Sequence, residues 1–303
     1  MKFLMFADWH HAPGKFPGRS IEDLHLIQRR AEEEGCEFII HAGDFCHGPT
    51  DVAEYVKEYN NFHIPSYHCL GNHDADHCSY EETLRHYNMS NGYYFFDCNA
   101  YRIIVLNPNY YYVDGAYYNY SNGNYFAHGA QRDYMPPEQL EWLKETIASS
   151  PYPCITVSHE SFARDSDGVK NQLAVREIFN EANQKKKNSV LMCINGHYHR
   201  DNIRILDGIC YWDVNSAAFD WLPIPHDLYP KEESDQIYFM RNTIIFNDPL
   251  YAIVTVENST ITIEGTETSF YRGITKDMTE NKVCDDMGMP CEPIIRSAKF
   301  TLN

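Results

Sequence analysis

Five short motifs carry side chains that commonly bind metal ions or transfer protons. They are Asp8-x-His10, Gly43-Asp44-x-x-His47, Gly71-Asn72-His73-Asp74, His159 and Gly196-His197-x-His199. Each follows a short apolar run typical of a buried strand, and these runs read FLMFA, FIIHAG, SYHCLG, CITVS and LMCING. One such histidine or aspartate alone is explained by a core contact or a helix cap, but five at five strand ends are not. The pattern therefore predicts a shared polar site.

The position of these motifs predicts that they meet. Ligands of open α/β sheets bind just beyond the carboxyl ends of the strands, so we expect five strand ends of one sheet to converge on one crevice. Residues two apart on extended backbone share a face, which lets both polar side chains of DWH and of HYH point the same way. Gly43, Gly71 and Gly196 precede the polar residues, and glycine permits positive φ and a close approach of the backbone to an ion.

The number of donors indicates two metal ions. The seven candidate ligands are Asp8, His10, Asp44, Asn72, His159, His197 and His199. They are too many for one ion that also keeps open positions, and they suit two ions about 3.5–4 Å apart, bridged by a carboxylate and a hydroxide. Mixed imidazole and carboxylate donors favour manganese, iron, zinc or nickel over calcium or copper(I).

The elements around the motifs alternate between strand and helix. A helix is predicted from Ser20, which caps it with Asp23 three residues later, to Gly35. A hairpin is predicted with its turn near Cys98, and a further helix begins at the PP pair at 136–137. Apolar strands alternating with helices favour a layered α/β domain with buried sheets. The last third of the chain is richer in short strands.

Composition excludes several classes of protein. The formal net charge of −18 disfavours nucleic acid and anionic lipid as partners. No apolar stretch approaches the ~20 residues of a membrane span. The first residues, MKFLMFADWHH, fit a buried strand better than a signal peptide, so we expect a cytoplasmic protein. The ten cysteines include no CxxC pair, and we expect free thiols, Cys284 and Cys291 included.

Taken in order, the five motifs resemble the calcineurin-like metallophosphoesterase superfamily over roughly residues 1–220. The resemblance implies a four-layer αββα sandwich of two mixed β-sheets flanked by helices. It assigns one metal ion to Asp8, His10, Asp44 and His199, and the second to Asp44, Asn72, His159 and His197. It further implies that metal-held hydroxide attacks phosphorus in line, while His73 protonates the leaving alcohol.

Two motifs separate branches of that family. Its protein phosphatases carry Gly-Asp-x-x-Asp and Arg-Gly-Asn-His-Glu, where this chain has GDFCH and LGNHD. His47 thus replaces an acid, Leu70 an arginine and Asp74 a glutamate, which argues against a protein phosphatase. His47 is similar to some nuclease and phosphodiesterase members. We therefore take His73, His47 and Asp44 as the catalytic set, expect His47 to set the protonated nitrogen of His73, and assign Asp74 to anchoring the backbone.

A tyrosine-rich segment at 108–134 is the main clue to the substrate. Tyrosine faces and hydroxyls suit a base or sugar ring, and His128 and Arg132 are placed to reach a phosphate. We interpret the segment as a lid or wall beside the metals; a loop packed on itself or a dimer contact is the alternative. The domain is expected to span 1–270 with this insertion, and 271–303 to form an extension packed on it.

The leading interpretation is a dinuclear phosphoesterase that hydrolyses a small-molecule phosphate ester, a phosphodiester in preference to a monoester. A metal-dependent nuclease of the same fold is the first alternative, and strong salt-sensitive binding to DNA would favour it. A non-catalytic scaffold of the same fold is the second, although such a chain is expected to have lost ligands. The sequence leaves the substrate, the metal identity and the oligomeric state open.

Overall fold

Two six-stranded mixed β-sheets face each other in the computed structural model, which describes residues 1–280 and 287–302. The first sheet has the order β16-β15-β14-β1-β2-β3. Its strands are β1 Lys2–Phe6, β2 Phe38–His41, β3 Ser66–Tyr67, β14 Ala252–Glu257, β15 Thr260–Gly265 and β16 Ala298–Thr301. β1, β2 and β3 run parallel, and β14 to β16 continue the sheet antiparallel.

The second sheet has the order β10-β11-β9-β8-β5-β4. Its strands are β4 Tyr94–Cys98, β5 Tyr101–Val105, β8 Cys154–Ser158, β9 Val190–Asn195, β10 Asn202–Leu206 and β11 Ile209–Asp213. β5, β8, β9 and β11 are parallel, whereas the hairpin partners β4 and β10 are antiparallel at the edges. The central strands are fully buried, which explains why they read as continuous apolar runs rather than alternating ones.

Helices cover the outer face of each sheet. The helices are α1 Ile21–Glu33, α2 Ala53–Asn60, α3 Tyr80–His86, α4 Pro137–Ala148, α5 Gln172–Lys185 and α6 Lys231–Ser234. α1 begins with the expected capping box, in which Ser20 accepts from the Asp23 amide and Asp23 returns the bond. Leu24 and Ile27 of α1 pack on the first sheet, while Leu143 and Val175 of α4 and α5 pack on the second.

A third apolar layer lies between the sheets. It contains Met5 and Ile40 from the first sheet and Val105, Val157 and Ile194 from the second, all almost completely buried. Together with the two helix layers this confirms the four-layer αββα sandwich.

Two smaller hairpins complete the structure, and neither was expected. The tyrosine-rich segment contains β6 Tyr110–Val113 and β7 Ala116–Asn119, followed by a 3₁₀ segment at Asn124–Gln131. β12 Phe219–Trp221 pairs antiparallel with β13 Thr243–Ile245.

The third strand covers only the first two residues of the apolar run SYHCLG at 66–71. Beyond Tyr67 the backbone bonds to side chains instead of a neighbouring strand: the His68 carbonyl accepts from Tyr94 Oη at 2.8 Å, and the Leu70 carbonyl from Asn109 Nδ2 at 2.9 Å. The chain therefore leaves the sheet early without losing its hydrogen bonds.

The nine cysteines in the described ranges are free thiols, and eight of them are buried; Cys284 lies outside these ranges. Within the same ranges the structure has no helix of the length and apolarity needed to cross a bilayer.

Candidate metal centre

The five motifs do come together, but from two sheets rather than one. Asp8, Asp44 and Asn72 follow the parallel strands β1, β2 and β3 of the first sheet, whereas His159 and His197 follow β8 and β9 of the second. The expectation of a single sheet was wrong, because parallel strands in both sheets of the sandwich end at the same side. The crevice lies where the two sets of carboxyl ends meet.

The backbone at this crevice is held in an unusual conformation. Five of the seven candidate ligands have left-handed φ values: Asp8 +53°, His10 +54°, Asp44 +51°, His197 +76° and His199 +54°. Residues other than glycine rarely adopt this region, and each instance costs on the order of 1–3 kcal/mol, paid by the surrounding structure. Such strain concentrates at functional sites.

Asp8, His10 and His199 form the first cluster of donors. His199 Nε2 lies 3.3 Å from Asp8 Oδ1 and 3.0 Å from His10 Nε2. Both oxygens of the Asp8 carboxylate accept from the His197 amide, Oδ1 at 3.1 Å and Oδ2 at 3.0 Å. All three donors lie within 4.8 Å of one another and are fully buried.

Asp44, His159 and His197 form the second cluster. His159 Nε2 lies 3.1 Å from Asp44 Oδ2 and 3.2 Å from His197 Nδ1. The same Asp44 oxygen is 3.9 Å from His10 Nε2, so Asp44 stands between the two clusters. Burial disfavours charge on both members of the Asp44–His159 pair, but Asp44 holds the pKa of His159 well above its ordinary value, and His159 lowers that of Asp44.

Three of the histidines are oriented by bonds from their outer nitrogens. Nδ1 of His159 bonds to the Ala42 carbonyl at 2.7 Å, and Nδ1 of His199 to the Phe219 carbonyl at 2.6 Å. Nδ1 of His10 bonds to His47 Nε2 at 2.9 Å. Since the outer nitrogen is engaged, Nε2 of each ring faces inward toward the donor clusters, the arrangement found around metal-binding histidines.

Two further observations fit bound cations. Asn72 Oδ1 is buried at the crevice with no hydrogen-bond partner among the described residues, and an unpaired buried oxygen is costly unless something occupies it. A Cβ on Gly71 would lie 2.2 Å from Asp44 Oδ1, and one on Gly43, which has φ +89°, 2.3 Å from His159 Nδ1. The Asp44 and His159 side chains thus lie so close to the backbone at Gly71 and Gly43 that only glycine fits there.

A third cluster, next to the first, contains a residue that the sequence analysis missed. Asp76 Oδ2 accepts from His47 Nδ1 at 2.8 Å and from His73 Nδ1 at 2.9 Å. The His47 and His73 rings lie 4.2 Å apart and meet through this oxygen. Despite burial, the two imidazoles hold the pKa of Asp76 far below its ordinary value. The signal was the spacing His73-x-x-Asp76, which one 3₁₀ turn brings onto one side.

Asp74 holds the loops that carry the ligands. Its carboxylate accepts from the backbone amides of Gly71 at 2.8 Å, Asp44 at 3.2 Å and Cys46 at 3.1 Å, and from Tyr87 Oη at 2.6 Å. The Asp44 and Asn72 loops are therefore tied to a single buried carboxyl. Burial and the nearby Asp44 charge raise the pKa of Asp74 to about 7.

The tyrosine-rich segment reaches the crevice through Tyr125. Its hydroxyl donates to Asp76 Oδ1 at 2.5 Å and accepts from Asn72 Nδ2 at 3.3 Å. Phe126 stacks on Tyr125 at 4.3 Å and remains largely exposed, whereas His128 stacks on Tyr111 at 4.0 Å and Arg132 lies over the Tyr125 ring.

Two aromatic residues beyond β11, Trp221 and His226, have different surroundings. Trp221 lies edge-on to the His10 ring at 6.5 Å. His226 is buried, and its Nε2 lies 3.1 Å from the Thr243 carbonyl oxygen, so it packs against strand β13.

Two neutral histidines, His41 and His68, form a series of hydrogen bonds that begins at the backbone amide of Gly43. The Gly43 amide donates to His41 Nδ1 at 3.2 Å, His41 Nε2 bonds to His68 Nδ1 at 2.8 Å, and His68 Nε2 to Asn60 Oδ1 at 2.7 Å. Because the Gly43 amide donates to His41 Nδ1, each ring must accept a hydrogen bond at Nδ1 and donate one from Nε2. All three hydrogen bonds therefore form only when His41 and His68 are both neutral. Burial lowers the pKa of His41 to about 3 and places that of His68 well below its ordinary value.

Acid should therefore destabilise the chelated, metal-free protein through these two rings. Unfolded histidine takes up its proton near pH 6.5, whereas folded His41 resists down to about pH 3. The contribution of the two neutral rings to the free energy of unfolding is fully present above pH 6.5. It is lost as the pH falls below that value, at up to about 1.4 kcal/mol per pH unit for each ring. Urea unfolding between pH 6.5 and 4.5 should show a smaller slope of stability against pH in the His41→Gln/His68→Gln variant. An unchanged slope would contradict the assignment.

Comparison with known proteins agrees with this geometry. A family model described as calcineurin-like phosphoesterase matches residues 1–201. No curated protein gives a significant sequence match. The fold is similar to that of a dimetal phosphatase from Danio rerio, with TM-score 0.64 and 14% identity over 100% of this chain and 99% of that one. It is also similar to GAP50, the anchor in the inner membrane complex of Plasmodium, with TM-score 0.55 and 14% identity over 100% and 89%.

Proposed function

Since the chain belongs to the calcineurin-like phosphoesterase family, we propose that it hydrolyses a small-molecule phosphate ester with two bound metal ions. The observation that carries the proposal is the pair of donor clusters joined by Asp44, with five of the ligands on strained backbone. A non-catalytic scaffold has no need for this arrangement, because each strained residue lowers its stability.

The residues proposed to hold the ions fall into two sets that share Asp44. Asp8, His10, Asp44 and His199 would hold one ion, and Asp44, Asn72, His159 and His197 the other. Manganese, iron, zinc or nickel suits this mixture of oxygen and nitrogen donors. When bound, such ions supply positive charge to the phosphoryl oxygens and lower the pKa of water.

The proposed role of His73 is to protonate the leaving alcohol. Asp76 fixes Nδ1 of His73 and stabilises the imidazolium, which leaves Nε2 as the proton donor. His47 shares the same carboxylate oxygen and links it to His10, so it couples the acid to the first donor cluster.

A phosphodiester is the proposed substrate class. Protein phosphatases of the family carry an arginine where this chain has Leu70, and Leu70 is buried in the apolar layer under the helices. A doubly charged monoester gains more from a guanidinium there than a singly charged diester does, because the Coulomb interaction grows with the phosphoryl charge. The position thus favours the less charged ester.

Metal analysis combined with a substrate panel tests the proposal. The metal-loaded protein should contain two ions per chain and hydrolyse bis(p-nitrophenyl) phosphate or a cyclic nucleotide faster than p-nitrophenyl phosphate. The Asn72→Ala variant, which removes one ligand, should lose both metal content and activity. A fully loaded protein inert toward every ester would reject the function, and a preference for the monoester would reject the diester.

We propose that 108–134 forms one wall of the substrate cleft. The buried Tyr120 and Tyr125 anchor it. The bond from Tyr125 to Asp76 ties it to the third cluster, His47, His73 and Asp76, which we call the proton-transfer cluster. Exposed Phe126, stacked on Tyr125, offers a flat face for a base or sugar.

Phe126→Ala is therefore expected to reduce kcat/KM for a cyclic nucleotide about 5- to 100-fold, the usual value of base stacking. Methyl p-nitrophenyl phosphate, which has no base, should lose far less. Tyr118→Ala removes another partly exposed ring of the same segment, on the hairpin strand β7, and is the control. Equal losses with both substrates would reject the wall.

The proposed domain spans 1–270, with 271–303 as an extension packed on it. Ile295 joins the apolar layer between the sheets, and β16 adds the edge strand beside β15. A cytoplasmic location is proposed as well, supported by the free thiols of the described cysteines, which are typical of a reducing compartment.

A further inference from the structure

Lys15 places a positive charge beside the proton-transfer cluster. Its Nζ lies 3.5 Å from Asp76 Oδ2 and 3.1 Å from His77 Nε2. The side chain remains 34% exposed, and an ammonium group has three donors, so hydrogen-bonding capacity is left for a ligand. The Asp76 oxygen nearest to it is already engaged by His47 and His73. The ion pair with Asp76 therefore leaves donors of the Lys15 ammonium group available to a bound anion.

The loop that carries Lys15 is held at both ends and in its middle. The His10 amide bonds to the Asp44 carbonyl at 2.9 Å, and the carbonyls of Gly14 and Lys15 accept from the amides at 238 and 239. The buried guanidinium of Arg19 donates to five backbone carbonyls, those of Ala217, Ala218, Phe246, Asn247 and Asp248. The backbone position of Lys15 is thus set by the fold.

An aromatic surface lies next to the ammonium group. Phe16 stacks on the His47 ring at 3.8 Å and on Phe239 at 4.8 Å, and Trp221 meets Phe16 edge-on at 5.6 Å. Lys15 Nζ is 5.4 Å from the centre of the Phe16 ring. Apolar surroundings reduce screening, so an anion bound here interacts with Lys15 more strongly than in open water.

We propose that Lys15 is a specificity-determining residue that binds a second anionic group, phosphate or carboxylate, on the alcohol that leaves phosphorus. The inference rests on the proposed function, because His73 marks the side from which the alcohol departs. Lys15 and His73 share Asp76 as a neighbour, which puts the cation within reach of a group on that alcohol. The aromatic surface of Phe16, Phe239 and Trp221 packs against its carbon skeleton.

Matched leaving groups test the proposal. The substrates are methyl phosphodiesters of 3-carboxyphenol, of 3-(phosphonomethyl)phenol and of the neutral 3-carbamoylphenol. For each of the two anionic esters, the measured quantity is the ratio of its kcat/KM to that of the neutral ester. Lys15→Gln should lower this ratio about tenfold, in line with a charge-assisted hydrogen bond. Lys15→Arg should retain it, and so should Lys170→Gln, which removes an exposed cation elsewhere.

The ratio separates recognition from electrostatic tuning. If Lys15 acted only on the proton affinity of His73, all three esters would change together and the ratio would stay constant, which would overturn the proposal. A ratio that falls only for the phosphonate ester identifies phosphate as the ligand group, and one that falls only for the carboxylate ester identifies carboxylate.

Binding of the free alcohols gives a readout that needs no turnover. Equilibrium dialysis of the chelated protein should show tighter binding of 3-hydroxybenzoate or 3-hydroxybenzylphosphonate than of 3-hydroxybenzamide, with the difference lost in Lys15→Gln. Lys15-dependent binding in a protein that hydrolyses no ester would reject the proposed function and leave the anion site standing. Hydrolysis with no dependence on Lys15 in either assay would reject the anion site alone.

Discussion

Replacement of His73 by asparagine is expected to slow hydrolysis of an ester with an alkyl leaving group about 10²- to 10⁴-fold, the usual contribution of a general acid. The alkoxide is a poor leaving group and needs the proton of His73, whereas nitrophenolate departs without one. The loss should therefore be much smaller with a p-nitrophenyl ester. Steady-state kinetics with the two esters measures the difference.

Asp76→Asn is the companion variant. It removes the carboxylate that orients His73 and leaves the imidazole in place, so the loss should follow the same dependence on leaving group with a smaller size. Metal content should remain at two ions in both variants, since neither residue belongs to the two ligand sets. Equal losses with alkyl and nitrophenyl esters would show that His73 does not act as the acid.

The second large effect is expected from Asp44→Asn. Asp44 stands between the two donor clusters, 3.1 Å from His159 and 3.9 Å from His10. An amide carries no charge and cannot serve both clusters, so the variant should bind fewer than two ions and lose more activity than the 10–100-fold typical of an outer metal partner. Elemental analysis and turnover of bis(p-nitrophenyl) phosphate measure both quantities.

Asp76→Asn is also the control for this experiment, because it removes a neighbouring buried carboxylate outside the two ligand sets. It should keep both ions while losing activity. An Asp44→Asn protein that retained two ions and full turnover would contradict the proposal that the two ligand sets share Asp44. Loss of metal in both variants would instead place Asp76 among the ligands.

The local signals in the sequence were sufficient for the elements that position the site. The Ser20–Asp23 capping box, the hairpin turn after Cys98 and the apolar runs of the buried strands each depend on neighbouring residues alone, and the structure contains them. The four-layer arrangement followed from resemblance. The distribution of the strand ends over two facing sheets depends on long-range packing that no local pattern encodes.

Asp76 and the tyrosine-rich segment show where sequence reasoning ended. Asp76 looks like an ordinary loop aspartate until the 3₁₀ turn at His73–Ala75 brings it under His47 and His73. The β6–β7 hairpin had a local signal that the sequence analysis did not use: Asp114 and Gly115, both with positive φ, form the two-residue turn between the strands. By contrast, β12 pairs with β13 across the long segment 222–242, and no local pattern encodes that contact.

The left-handed backbone at Asp8, His10, Asp44, His197 and His199 has a consequence for protein engineering. Glycine occupies such φ values without steric cost, so exchanging any of these residues for glycine would relax the chain and take a charge or imidazole out of its interior. A library of variants selected for heat resistance alone would accumulate changes here and drift toward inert chains. Any directed evolution of this scaffold has to select for turnover in every round.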